Sequence, residues 1–182
     1  PETLVYAVWA LTMIPPALYA LARIGWRVRR DGPAFGYGLA IGLLGAGGQM
    51  ILFHAGKEGP TYLIFPLISL SPVITIALSY AFLRERTGAM GVAGIVLALC
   101  ALPLFDYAPE QGGVAYGWWF VLALGVLVAW GLQAYFIKRA NAIMDAESIF
   151  FYMALSALAF IPVALAMTDF SQPINYGLDG PW

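Results

Sequence analysis

The sequence predicts an all-α fold, a polytopic bundle of six helices that cross a lipid bilayer. Three observations lead there. The chain of 182 residues is 62% hydrophobic and only 10% charged, whereas a soluble domain is nearer half apolar and a quarter charged. Its apolar residues gather in six continuous runs, each about 20 residues long, enough for a helix to cross about 30 Å of hydrocarbon. Its cations then fall on one side of the bundle those runs define. Closed barrels also span membranes, but they are built from short alternating strands, and these runs are long and unbroken.

The runs cover residues 3–23, 33–54, 60–83, 88–106, 115–137 and 148–168. Short polar joints separate them, and the stretch from Thr168 to Trp182 is rich in Pro, Gly, Asn and Asp and reads as a loop. Arg23, Arg27, Arg29 and Arg30 follow the first run, Arg84 and Arg86 the third, and Lys138 and Arg139 the fifth. Eight of the nine basic residues therefore share one side, and only Lys57 falls on the other. The positive-inside rule places that side in the cytoplasm. Glu2, Glu58, Asp106, Glu110, Asp169 and Asp179 collect on the far side. A net charge of −1 gives no reason to expect a nucleic-acid partner, and the single cysteine, Cys100, excludes an internal disulfide.

In the first run Tyr6, Trp9, Met13 and Pro16 share a face. Two readings fit that face, a cavity wall and a surface packed on lipid or a neighbouring helix. The second run, GYGLAIGLLGAGGQMILFH, is no dinucleotide loop, since no strand precedes it. Gly38, Gly42 and Gly45 form one face that permits close helix approach, and Gln49 continues it, either as interhelical glue or as a solute contact. His54, the only histidine, lies at the outer end on another face, where a solvated interfacial role is expected.

The third run, PLISLSPVITIALSYAFLRER, carries a proline at its centre and ends in three charges. Ser71, Pro72, Thr75 and Ser79 fall within about 100° of one another on a helix. Pro72 cannot donate to the Ile68 carbonyl, so a bend is expected there. The hydroxyl face either lines a solute cavity or bonds back to its own backbone within a packed interface. Arg84, Glu85 and Arg86 mark the membrane boundary and are expected to pair locally. In the fifth run Trp119, Trp130 and Gln133 share a face. Trp119 reads as a belt anchor. Trp130 and Gln133 lie deeper, as an aromatic and an amide suited to a small amphipathic solute or to packing. Asp145, Glu147 and Glu2 open helices, where acids cap and complement the macrodipole.

An inverted repeat joins the two ends of the chain. Glu2, Thr3 and Leu4 match Glu147, Ser148 and Ile149, and Pro16 matches Pro162 with one residue of slippage. The first copy runs inward and the second outward, the plan of many secondary transporters. From Gly59 to Leu104 the chain resembles the EamA-type branch of the drug/metabolite transporter superfamily. The Ser-Pro centre, the Glu85-Arg86 pair, the glycines Gly88, Gly91 and Gly94, and later Trp130-Gly131 with Lys138-Arg139 carry that resemblance. It implies a ten-helix, five-plus-five inverted repeat with cytoplasmic termini, a bacterial inner-membrane location and transport of small organic solutes. By that comparison the chain holds helices two to seven. Residues 1–107 form most of the first repeat and 114–182 the start of the second.

No ionisable residue lies near the middle of any run. Proton relays and ion-coupled sites usually require one, so facilitated exchange or uniport of a neutral or zwitterionic solute is expected. The expected substrate site comprises Gln49, Ser71, Pro72, Thr75, Trp130, Gln133, Tyr6 and Trp9. No hydrolase motif, metal-ligand cluster or cofactor loop is present, so neither an enzyme nor a cofactor is expected. A non-transporting membrane scaffold, with the polar faces serving only as packing surfaces, is the alternative.

Overall fold

A computed structural model describes residues 2–85, 88–105 and 117–171. The described regular structure is entirely helical, and each of the six apolar runs forms helix. The first span is α1 (Glu2–Thr12) and α2 (Ile14–Arg23). The second is α3 (Gly32–Glu58), and the third is α4 (Thr61–Ile68) with α5 (Ser71–Leu83). The fourth is α6 (Ala89–Phe105), the fifth α7 (Trp118–Ala140), and the sixth α8 (Ala146–Ala159) with α9 (Ile161–Ala166). Five of these spans are long and apolar enough to cross a membrane, while α6, of 17 residues, is apolar but shorter. Pro1, Arg86, Asp106, Glu110, Asp179 and the expected boundary at 107–114 lie outside the described residues.

Three spans are broken near their centres, and each second half carries proline in its first turn: Pro15 after Met13, Pro72 after Leu70, Pro162 after Phe160. A first-turn proline is tolerated because its missing N–H would be unpaired there anyway, and it denies a donor to the preceding helix. The bend expected at Pro72 therefore falls just before it, at Ser69 and Leu70. Nearby hydroxyls bond back to carbonyls, with Thr12 Oγ1 donating to the Trp9 carbonyl at 2.6 Å and Ser69 Oγ to the Pro66 carbonyl at 2.7 Å. Pro15 takes the same place after the break in the first span as Pro162 does in the sixth, and both Pro15 and Pro16 are exposed.

The long α3 is the centre of the bundle and packs most extensively on α7, then on α8. Lipid tails are as apolar as leucine, so burial alone does not join membrane helices, and close fit must. Glycine supplies that fit. A Cβ at Gly38 would strike the Tyr152 ring, and one at Gly42 would lie 2.7 Å from the Ser156 Cβ, so this part of α3 lies against α8. Gly45 and Gly48 face α7 in the same way. At Gly131 a Cβ would lie 2.6 Å from the Ile74 Cβ, so α7 and α5 also meet closely. By contrast α6 packs chiefly on α4 and is exposed along most of its length.

Charges pair at the two ends of the bundle. At one end Glu2 Oε1 lies 3.3 Å from Lys57 Nζ and 3.7 Å from His54 Nδ1, and the Thr3 and Thr168 hydroxyls bond at 2.7 Å. At the other end Arg23 meets Glu147 at 3.7 Å, and Lys138 pairs with Glu85. Glu85 thus reaches across to another span. Asp145 caps α8 as expected, accepting from the Ser148 N–H at 2.7 Å. Tyr152 donates its hydroxyl to the Arg29 carbonyl at 2.9 Å, which holds the loop between α2 and α3 against α8. In that loop the Arg29 guanidinium, 2.6 Å from Asp31, holds the Asp31 carboxyl below the usual aspartate range.

Trp119 departs from its expected role as a belt anchor. It is only 5% exposed and packs with Leu52, Ala55, Leu63 and Ala123. The cause is Gly59, at the turn between α3 and α4, where an added Cβ would overlap the indole. Removing that side chain opens a seat for the ring inside the bundle.

Candidate solute cavity

The four helices α1, α3, α7 and α8 leave a hollow between them of about 200 Å³. It is lined by Trp9 and Met13 from α1 and the break after it, by Gly45, Ala46 and Gln49 from α3, by Trp130 and Gln133 from α7, and by Met153 from α8. All of these residues but Gln133, which lies one position beyond, fall in the middle third of their spans. The hollow is therefore at the depth where transporters of inverted-repeat design bind their solutes.

The local sequence explains each placement. Trp9 and Met13 are four residues apart and share a helical face. Gly45 and Gln49 are related in the same way. On α7, Trp130 and Gln133 are three apart, and both are accommodated by glycines of α3. A Cβ at Gly48 would lie 2.6 Å from the Trp130 Nε1, and one at Gly45 would overlap the Gln133 amide. Small residues on one helix thus make room for large polar ones on the next.

The polar groups of this lining are incompletely paired. Gln133 Nε2 donates to the Ile41 carbonyl at 3.2 Å. The Gln49 amide and the Trp130 indole N–H have no hydrogen-bond partner among the described residues. A polar group left unpaired away from water costs about 1–3 kcal/mol, so these groups call for water or a solute. Among the described residues no charged side chain lines the hollow. Among the described residues no three His, Cys, Asp or Glu side chains come together to hold a metal.

Of the residues expected from the sequence, Trp9, Gln49, Trp130 and Gln133 meet at this hollow. Tyr6 stands behind it, fully buried, with its ring 5.4 Å from that of Trp9 and its hydroxyl donating to the Ala157 carbonyl at 3.2 Å. Ser71, Pro72 and Thr75 are not in the lining. Thr75 Oγ1 donates to the Gly131 carbonyl of α7 at 2.9 Å, and Pro72 is exposed. Met153 and Ala46 complete the wall, and neither carried a signal in the sequence, since apolar residues look alike in an apolar helix. Gly45 was legible as a packing residue, and Met13 as part of the Trp9 face.

A family model described as the EamA-like transporter family matches residues 1–105. A curated protein of Methanocaldococcus jannaschii, itself described as uncharacterized, is 34% identical over 70 residues. That match covers 38% of this chain and 51% of that protein, so the chain spans about half the length of the curated relative it matches. No solved structure matches the chain.

Proposed function

The chain belongs to the EamA-like transporter family, and from that premise we propose that the hollow between α1, α3, α7 and α8 holds the transported solute. The solute is a small organic metabolite, neutral or zwitterionic, carried across a bacterial inner membrane. The observation that carries this reading is the convergence of Gln49, Trp130, Gln133 and Trp9 on one uncharged mid-membrane cavity. In a scaffold the same polar residues would have no reason to leave amide and indole groups unpaired around a shared space.

The reading includes alternating access, which the contacts between spans support. The first and sixth spans, the inverted pair, are joined at one end by the Thr3–Thr168 hydroxyl bond and at the other by Arg23–Glu147. Opening one end while the other stays closed exposes the cavity to one side at a time. Met13 is both the break residue of the first span and part of the cavity wall, so a solute pressing on it acts at the bend. The full transporter is read as a five-plus-five repeat, with residues 1–107 and 114–182 contributing to successive repeats. Solute uptake into proteoliposomes carrying the protein, measured across a metabolite panel, tests the proposal. Gln133→Leu is expected to lower uptake severalfold without impairing membrane insertion. Unchanged uptake would remove Gln133 from the site.

A further inference from the structure

We infer that the cavity selects flat, uncharged, single-ring solutes that carry an amide edge, such as a ring carboxamide or a lactam. The inference rests on the solute-site reading above and narrows it. Its polar side-chain groups are two carboxamides, of Gln49 and Gln133, and the indole N–H groups of Trp9 and Trp130. One N–H of Gln133 is committed to the Ile41 carbonyl at 3.2 Å. That leaves its carbonyl oxygen and second N–H, the whole Gln49 amide and the N–H groups of Trp9 and Trp130 for a ligand. An amide offers a donor and an acceptor side by side, as does the group it would meet. A carboxylate finds no cation in the lining and faces amide oxygens, and an ammonium finds no anion. Either ion would be buried without a counter-charge, which is strongly unfavourable.

The apolar walls set the shape. Trp9 and Trp130 contribute flat indoles, and Met13 and Met153 contribute polarisable thioethers. Both favour contact with a ring face or edge. Size sets the limit. A dry cavity of roughly 150 Å³ takes a benzene ring, and this partly open hollow offers about 200 Å³. One ring with a small substituent matches that volume. Gly45 and Gly48 act here as positioning residues, because a Cβ at either would displace the Gln133 amide or the Trp130 indole.

The test is equilibrium binding to the purified protein in lipid nanodiscs, with radiolabelled nicotinamide, nicotinate and proline as probes. Nicotinamide and nicotinate share a ring and differ in amide against carboxylate, so the comparison needs no variant. Nicotinamide is expected to bind saturably and at least roughly tenfold more tightly than nicotinate. Trp130→Phe keeps the ring contact and deletes one donor, and is expected to weaken nicotinamide binding by roughly three- to tenfold. Tighter binding of nicotinate or proline would overturn the amide preference while leaving the solute site standing. Saturable binding of none of the three would overturn the solute-site reading as well.

Discussion

Gln133 holds two roles at once, tying α7 to the Ile41 carbonyl of α3 and presenting the rest of its amide to the cavity. The sequence made it visible because an amide in the interior of an apolar helix must find partners. Thr75 was visible for the same reason, but its partner is the Gly131 carbonyl on α7, so its hydroxyl is used in packing. Nothing in the sequence distinguished these outcomes, because both residues are polar, uncharged and near mid-span. The contact at Gly131 also allows two effects to be ranked. Thr75→Val removes one interhelical hydrogen bond, worth about 0.6 kcal/mol on average in membranes. Gly131→Ala inserts a Cβ 2.6 Å from the Ile74 Cβ and 2.9 Å from the Ser71 carbonyl oxygen, one of them backbone. Overpacking of that kind costs about 1–3 kcal/mol. Unfolding in mixed detergent is therefore expected to show the larger loss for Gly131→Ala, and the reverse order would contradict the packing described for α5 and α7.

At the scale of elements, the spans were legible and their interruptions only partly so. Length and apolarity define a span whether or not it is straight, so the six runs were recognisable from composition alone. Proline announces a bend, yet it can sit on either side of one. The breaks fall at Met13, Leu70 and Phe160, each ahead of a proline in the first turn of the half-helix that follows. The buried seat of Trp119 was not legible, because it depends on Gly59, sixty positions away in sequence and adjacent only in the fold. The break before Pro162 has a measurable consequence. Pro162→Ala restores a donor to the Leu158 carbonyl and relaxes the bend. Straightening the sixth span would draw Thr168 away from Thr3, whose hydroxyls now bond at 2.7 Å. With cysteines at positions 3 and 168, crosslinking is expected to fall in the Pro162→Ala background, and solute uptake with it. Undiminished crosslinking would show that the proline does not maintain the bend.

For the whole molecule, the arrangement of charge and cavity has one physical origin. Lipid surrounds the bundle, so among the described residues ion pairs are confined to its two ends and the middle is left with neutral polar groups facing inward. Membership of the EamA-like transporter family and five spans long and apolar enough to cross a membrane agree with that account. The claim at its centre is that the hollow at Gln133 is reached by water while the outward faces of the helices are not. Cysteine accessibility measures this directly. Cys100 is exposed and is first replaced by serine. Single cysteines are then placed at Gln133 in the cavity and at Leu97, which is 71% exposed on the face of α6. In a membrane-embedded protein, a small water-soluble thiosulfonate is expected to modify the cysteine at position 133 and spare the one at position 97. A position 133 as inert as position 97 would contradict the account.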